Sequence, residues 1–304
     1  MRHVFFVNSA AGKTDQTARY EAAVRAVFSG RNDWELQVSH APGQIRDMAR
    51  AACAAGGDVR LYACGGDGTL NEVVNGAVGF PNAAVTHFPG GSGNDFIKTF
   101  SDPAAFSDLR RLAEGDEAAF DLVCVGDDCV ALNVCSVGFD ARIGTEIARY
   151  KRLPLVTGRG AYVISALVNT IRGVHQPLEV TFDDGETFSG ERTMVYVANG
   201  SWYGGSFHPV PEARPDDGLL EVLLVAPVSR LTVARVIGKY RSGQYRQYPQ
   251  YITHRRCRSV RIRADGSTAV NLDGELLHRS DVTFRIADEK LRFFYPRGLS
   301  WGEG

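Results

Sequence analysis

Two short stretches carry residues whose types and spacing could handle phosphate and protons. Cys64-Gly65-Gly66-Asp67-Gly68-Thr69-Leu70-Asn71-Glu72 holds three glycines within four residues. Such a run lets the backbone take positive φ and come close to a ligand. Thr69 is a favourable helix N-cap, and the free N–H groups of a first helical turn make an anion site, most often for phosphate. Asp67 would repel a bare phosphate, so it points to a bound cation or a proton-handling role. The second stretch, Asn271-Leu272-Asp273-Gly274-Glu275, sets two carboxylates two residues apart across a glycine. In a regular strand both would face one side; a turn at Gly274 would remove that guarantee. Alone, the first stretch reads more readily as a structural glycine turn, and the second also as an Asp-Gly hairpin. The elements around them must decide.

Residues 59–63 form an apolar strand-like run before the glycines, and Leu70, Val73, Val74 and Ala77 follow at helical spacing. The loop therefore sits where a strand hands over to a helix. Upstream, residues 4–7 read as a buried parallel strand, followed by the polar loop Asn8-Ser9-Ala10-Ala11-Gly12-Lys13. Tyr20, Val24, Val27 and Phe28 mark a helix face, and residues 34–39 a second strand. Pro42 and Gly43 open a helix with Ile45, Met48, Ala49 and Ala52. Residues 58–64 and 83–88 make the third and fourth strands, the latter ending in Pro89-Gly90-Gly91-Ser92-Gly93-Asn94-Asp95-Phe96. This alternation predicts a doubly wound, mostly parallel α/β sheet, whose ligands bind beyond the C-terminal strand ends. Three polar, glycine-bearing loops converge on that edge, which favours a nucleotide site. Lys13 reads equally as a phosphate contact and as an exposed loop lysine, and Asp95 as a helix cap or a ligand contact.

From about residue 120 the pattern changes to short alternating segments at 120–125, 130–137, 178–182, 193–198, 219–225, 260–262 and 282–286. Asp184-Gly185 and Asp265-Gly266 are hairpin signals. A second, mainly antiparallel β-sandwich domain is expected, interrupted by helices over 161–171 and 231–240. The boundaries are set at 1–122 for the α/β domain, with 290–304 returning to it, and at 123–289 for the β-rich domain.

The 304 residues suffice for two cores, and a net charge of −1 gives no overall field to recruit nucleic acid or membrane. The six cysteines include no CxxC pair, and the seven histidines are scattered. A disulfide frame and a zinc site are thus disfavoured. Met1-Arg2-His3 leads directly into the first apolar run, too short for a signal peptide, and no window is apolar for a spanning length. A cytoplasmic protein, with any membrane contact peripheral at the inner face, is expected.

The segment from Gly65 to Glu72 resembles the nucleotide loop of the diacylglycerol kinase catalytic domain family, which includes sphingosine and ceramide kinases and small bacterial lipid kinases. NAD kinases and phosphofructokinases share its glycine-Asp-glycine core, and further stretches separate these options. Asn8 to Gly12 looks like the family's first loop, with Ala10 and Ala11 where Pro and Ser are common. Pro89 to Phe96 looks like its second glycine loop, with Ser92 where Thr is usual. Asn133 to Ala141, with Gly138-Phe139-Asp140-Ala141, is similar to the segment opening the second domain. Asn199-Gly200, Gly204-Gly205, Pro211-Glu212-Ala213, Asp216-Asp217-Gly218-Leu219-Leu220 and finally Asn271 to Glu275 resemble its later motifs. The match runs in order over nearly the whole chain.

The resemblance implies a two-domain lipid kinase with its active cleft between the domains. ATP would be held by Asn8, Ser9, Ala10, Ala11, Gly12, Ser39, Gly65, Gly66, Asp67, Gly68, Thr69, Leu70, Asn71, Glu72 and Ser92. Asp273 or Glu275 would be the general base. Asp217 matches a structural magnesium ligand of the bacterial members, with Asp216 and the backbone carbonyls of Arg214 and Leu219 completing the shell. Asp216-Asp217-Gly218 reads otherwise as a tight turn. ATP and Mg2+ are the implied cofactors and a membrane lipid alcohol, diacylglycerol first, the acceptor. The other readings are an NAD kinase-like enzyme and a non-catalytic nucleotide- or lipid-binding protein. A homodimer is compatible with the sequence.

Between residues 239 and 263 there are eight basic residues and no acids, interleaved with Tyr240, Tyr245, Tyr248 and Tyr251. Anionic leaflets attract such residues, and tyrosines favour the headgroup layer. Arg241, Arg246, Arg255 and Arg256 are therefore the expected membrane-docking residues. From Arg258 onward the solvated face of a strand explains the arginines at least as well. RNA is disfavoured by the near-zero net charge.

Overall fold

The computed structural model describes residues 1–9, 15–90, 94–127, 129–138 and 175–302. The sequence-predicted helix over 161–171 and the segment 139–141 lie outside the described residues. The chain divides into two compact units. One comprises Met1–Leu122, Val130–Leu132 and Ala287–Gly304, the other Val123–Cys129 and Asn133–Ile286.

In the first unit β1 (Arg2–Asn8), α1 (Thr17–Phe28), β2 (Trp34–Ser39), α2 (Gln44–Ala54), β3 (Val59–Gly65), α3 (Asp67–Ala77) and β4 (Ala83–Pro89) alternate. The interior of β1 and all of β3 and β4 are buried, as strands covered on both faces must be. The four strands pair in parallel in the order β2-β1-β3-β4. Asn8 lies opposite Ser39, Val7 opposite Cys64 and Gly65 opposite Pro89, so the C-terminal strand ends are level. The order reverses between β1 and β3, which is where such sheets place a ligand crevice.

α2 starts where Gly43, at φ +78°, turns the chain. Its first N–H groups are capped from outside: Glu72 of α3 accepts from Gly43 N (3.1 Å) and Ile45 N (3.0 Å). These satisfy donors that a helix N-terminus leaves open. Beyond β4 come two 3₁₀ turns, α4 (Leu109–Ala113) and β5 (Asp116–Phe120). β16 (Leu291–Tyr295) lies parallel beside β4 and antiparallel to β5, completing the order β2-β1-β3-β4-β16-β5.

The expected strand over 120–125 is two strands. Phe120 ends β5, and β6 (Val123–Val125) belongs to the second unit. Packing explains the break. The Phe120 ring sits 5.7 Å from Phe96, 5.6 Å from Phe293 and 5.1 Å from Trp301, inside an aromatic core of the first unit. Such pairs favour the edge and tilted arrangements seen here.

The remaining elements are β7 (Cys129–Ala131), β8 (Val134–Gly138), β9 (Gln176–Phe182), β10 (Thr187–Arg192), β11 (Met194–Ala198), β12 (Leu220–Val225), α5 (Arg230–Arg241), β13 (Ile252–Cys257), β14 (Ser259–Leu272) and β15 (Glu275–Ile286). The second unit is an antiparallel β-sandwich, in which the long β14 pairs with β15, β8 and β9. Its residues 260–264 pair with β9, and its residues 270–272 with β8. Asp265-Gly266 is therefore no hairpin. The chain runs straight through as an irregularity between Arg263 and Thr268, where the register with β15 shifts; such bulges let one strand bend between two partners. The true turn falls at Asp273-Gly274. Asp184-Gly185 does close a hairpin, between β9 and β10, with Gly185 at φ +86°.

Candidate active-site residues

The first cluster stands at the C-terminal ends of β1 to β4. Asn8 Nδ2 donates to Thr69 Oγ1 (3.4 Å), joining β1 to the start of α3 across the switch point. Ser9 Oγ donates to the Ser39 carbonyl (2.8 Å), and Ser39 itself is buried with its hydroxyl on the Ala41 carbonyl. Ala10, Ala11, Gly12, Lys13, Gly91, Ser92 and Gly93 lie outside the described residues.

The glycine loop differs from its sequence reading in two ways. The N-cap of α3 is Gly66, not Thr69, and it makes no side-chain cap bond. Thr69 lies inside the first turn with its side chain buried. Nor do Gly65, Gly66 and Gly68 take positive φ. What Gly65 provides is space: a Cβ there would stand 2.8 Å from Thr69 Cβ and closer still to its hydroxyl. The Gly65 carbonyl accepts from Gly90 N (2.9 Å) and faces His87 Nε2 (3.0 Å). Burial pushes the His87 pKa down to about 4, so the ring is neutral at pH 7 and donates from Nε2. With the carbonyl held toward β4, the trans peptide turns the Gly66 N–H the other way. The N–H groups of Asp67, Gly68 and Thr69 belong to the helix turn that has no intrahelical acceptors, at the positive end of the α3 dipole.

Asp67 is oriented rather than loose. Its Oδ1 accepts from Asp95 N (2.7 Å), tying the first glycine loop to the second. Asp95 is 5% exposed, makes no side-chain cap to the 3₁₀ turn it precedes, and pairs with Lys98. The last three residues of the motif do other work. Leu70 is core; Asn71 reaches the Val130 carbonyl (3.4 Å); Glu72 caps α2. Their side chains hold α3 in place. Sequence reasoning missed His87, which sits in an apolar strand with nothing to mark it.

The second cluster is in the sandwich. β14 and β15 are joined by the two-residue turn Asp273-Gly274, with φ +49° and +97°. Asp273 is the one non-glycine residue at positive φ among the described residues, a conformation Asp tolerates better than most. Its Oδ1 accepts from Asn133 N (3.0 Å) and Val134 N (2.8 Å), and its own N–H donates to the Val134 carbonyl (3.0 Å). The turn is thus clamped to the start of β8. Asn199 N and Gly200 N both donate to the Asn133 carbonyl (2.9 and 3.0 Å). Asn133, Asn199-Gly200 and Asp273-Gly274-Glu275, far apart in sequence, come together here. Glu275 opens β15 and is exposed. The two acids do not share one role: one carboxylate anchors the turn, the other stands at its rim.

The loop read as a magnesium site faces arginines. Asp217 pairs with Arg256 and takes the Leu219 N–H (3.0 Å); Asp216 is forked by Arg214 (3.2 and 3.3 Å). Arg256 also reaches the buried Glu221 (2.8 Å), which lies opposite it across β12 and β13. Among the described residues no cluster of three His, Cys, Asp or Glu could hold a metal ion. In this arrangement guanidinium groups supply the counter-charge to both carboxylates. Addition of EDTA should therefore leave the melting temperature unchanged, and Arg256→Ala should lower it. A melting curve that EDTA shifts down and magnesium restores would show the opposite.

The basic run is also largely compensated. Arg246 pairs with Glu212, Arg255 with Glu186, Arg261 with Asp281 and Arg263 with Glu179. Tyr240 and Tyr245 are core residues. The run has no acids of its own, but the fold brings them from other segments. No helix among the described residues is long and apolar enough to cross a membrane.

Residues 2–125 match the diacylglycerol kinase catalytic domain, and residues 133–295 the YegS C-terminal NAD kinase beta sandwich-like domain. The chain is 24% identical over 303 residues to a protein of Staphylococcus carnosus named "Putative lipid kinase", covering 97% of this chain and 96% of that protein. One of the same name from Staphylococcus aureus strain JH9 is 26% identical over 241 residues, 79% and 78% of the two chains. Among solved structures, a diacylglycerol kinase from Bacillus anthracis superposes with a TM-score of 0.69 at 18% identity, covering 97% of each chain. An NAD kinase from Archaeoglobus fulgidus in complex with ATP gives 0.54 at 14% identity, covering 97% and 94%. These two likenesses speak to the fold alone.

Proposed function

The chain belongs to the diacylglycerol kinase catalytic domain family of lipid kinases, and on that premise we propose that it transfers the γ-phosphate of ATP to the hydroxyl of a membrane lipid, diacylglycerol giving phosphatidic acid. The observation that carries this reading is the α3 N-terminus at the level ends of four parallel strands, with Asp67 tied to Asp95. Phosphoryl transfer needs positioning, charge neutralisation and a group that takes the hydroxyl proton. Asn8, Ser9, Ser39 and Gly65 to Thr69 position the nucleotide in this reading. Ala10, Ala11, Gly12 and Ser92 keep that role only through the resemblance. Magnesium carried by ATP would neutralise the phosphate charge, since it keeps waters and few carboxylates.

A carboxylate must come within hydrogen-bond reach of the hydroxyl it deprotonates. Glu275 suits that task, being exposed. Asp273, with an oxygen committed to two backbone N–H groups, positions the turn. The enzyme works at the inner membrane face from the cytoplasm, touching the bilayer peripherally.

Incubation with γ-labelled ATP and a total lipid extract, with NAD in a parallel reaction, tests the proposal. Label is expected in phosphatidic acid, identified by mass. Label on NAD and not on lipid, or on no acceptor, would overturn it.

A further inference from the structure

α5 is capped by Ser229, whose Oγ accepts from Thr232 N (3.1 Å), and the helix contains no acidic residue. Val236 and Tyr240 are buried on one face, flanked by the half-buried Thr232 and Val233. At 100° per residue the opposite face has Leu231, Ala234 and Gly238 along its centre. Arg235 and Lys239 lie on one flank, Arg241 and Ile237 on the other. Leu231 is 79% exposed and Ile237 40%. A single exposed leucine needs no explanation; one set in a small-residue stripe between cations does.

Charge sets α5 apart from the strands that follow it. The arginines at 246, 255, 256, 261 and 263 meet acids. Lys239 instead donates to the Gln244 amide oxygen (2.7 Å) and Arg241 to the Ser206 carbonyl (3.1 Å). Arg235 has no ion pair among the described residues. Hydrogen bonds to neutral acceptors leave the positive charge uncancelled, so the outer face of α5 is both apolar and cationic.

We propose that α5 is a docking helix that lies on an anionic phospholipid bilayer. Leu231 enters the boundary between headgroups and acyl chains, with Ile237 at the edge of the contact, while Arg235, Lys239 and Arg241 reach out to lipid phosphates. Amphipathic interfacial helices combine buried apolar area with basic residues in this way, and long basic side chains keep their heads at the polar layer. The choice of occupant rests on the lipid-kinase reading, which puts the substrate in a bilayer, and on the match of charge.

Flotation of the full chain with vesicles tests it, using phosphatidylcholine alone and phosphatidylcholine mixed with phosphatidylglycerol. Binding is expected to the mixed vesicles only. Each cation near an anionic surface contributes about fivefold in binding, so Arg235→Glu with Lys239→Glu should lower it at least about 25-fold. Leu231→Glu should lower it by at least about tenfold, because it removes apolar area and adds a charge of the lipid's own sign. The substituted positions are exposed, so each variant should still fold and melt in one cooperative transition. Arg261→Ala with Arg263→Ala, which removes paired arginines, should bind as the native chain does.

Equal binding to both vesicles, no binding by the native chain, or an equal loss in the paired-arginine control would overturn the proposal. So would a dimer in size-exclusion chromatography that Leu231→Glu dissolves, since the face would then belong to a second copy. Turnover of a short-chain diacylglycerol in detergent micelles separates the two readings. Docking variants should keep the native rate there. A native chain inactive in micelles would instead sink the lipid-kinase reading.

Discussion

Glu275→Gln is expected to reduce kcat for lipid phosphorylation by about 10²–10⁴-fold, the range a positioned general base supplies, with the KM for ATP little changed. Glutamine has nearly the same shape but cannot take the hydroxyl proton. Glu275 is exposed at the start of β15, so the change should not cost stability, and melting curves should overlay. Asp273→Asn provides the contrast. Its amide oxygen can still accept from Asn133 N and Val134 N, as Asp273 Oδ1 does at 3.0 and 2.8 Å. Asn also tolerates positive φ, so the turn survives.

The substitution should keep most of the activity, while Asp273→Ala should lower stability and rate together, because two buried-end donors lose their acceptor. Initial rates with γ-labelled ATP and mixed diacylglycerol micelles measure both series. Should Asp273→Asn be as inactive as expected for Glu275→Gln while Glu275→Gln stays active, the roles are reversed.

The sequence made the strand-to-helix pattern of the first unit legible because each parallel strand is a continuous apolar run and each loop is marked by glycine. It could not show what the glycines do. Gly65 looks like a conformational hinge in the sequence, yet the structure uses it for clearance against Thr69, four residues on. Glu72 belongs to the motif by position and to α2 by function, and only the tertiary contact with Gly43 and Ile45 reveals that. The Asp-Gly signals in the sandwich split for a similar reason. Asp265-Gly266 and Asp273-Gly274 are locally alike, but the first lies where β14 must bend between β9 and β8, and the second where two strands end. The basic run misled most, because a one-dimensional reading counts charges along the chain. Cross-strand neighbours decide which of them are cancelled, and those acids come from positions as distant as Glu179, Glu186 and Asp281.

Gly65→Ala is expected to lower stability by about 2 kcal/mol, within the 1–3 kcal/mol typical of an overpacked core, and to reduce ATP turnover by roughly 10²-fold. The added methyl would meet Thr69 Cβ at 2.8 Å and Cγ2 at 3.1 Å. Neither partner can retreat easily: Thr69 is buried, and the Gly65 carbonyl is fixed by Gly90 N and His87. The strain must pass to the first turn of α3, whose N–H groups are the proposed phosphate contacts. The second-site test follows from which atoms collide. Thr69→Ser leaves Cβ in place and should not rescue Gly65→Ala, although it removes the methyl. Thr69→Gly removes the colliding atoms. By itself it should cost about 0.3–0.5 kcal/mol in helix propensity, plus the hydrogen bond from Asn8. Combined with Gly65→Ala it should be less harmful than the sum of the two, a coupling measurable by denaturant titration of the four proteins. Additive losses would mean that the methyl is accommodated elsewhere, and that clearance at Gly65 does not set the position of the loop.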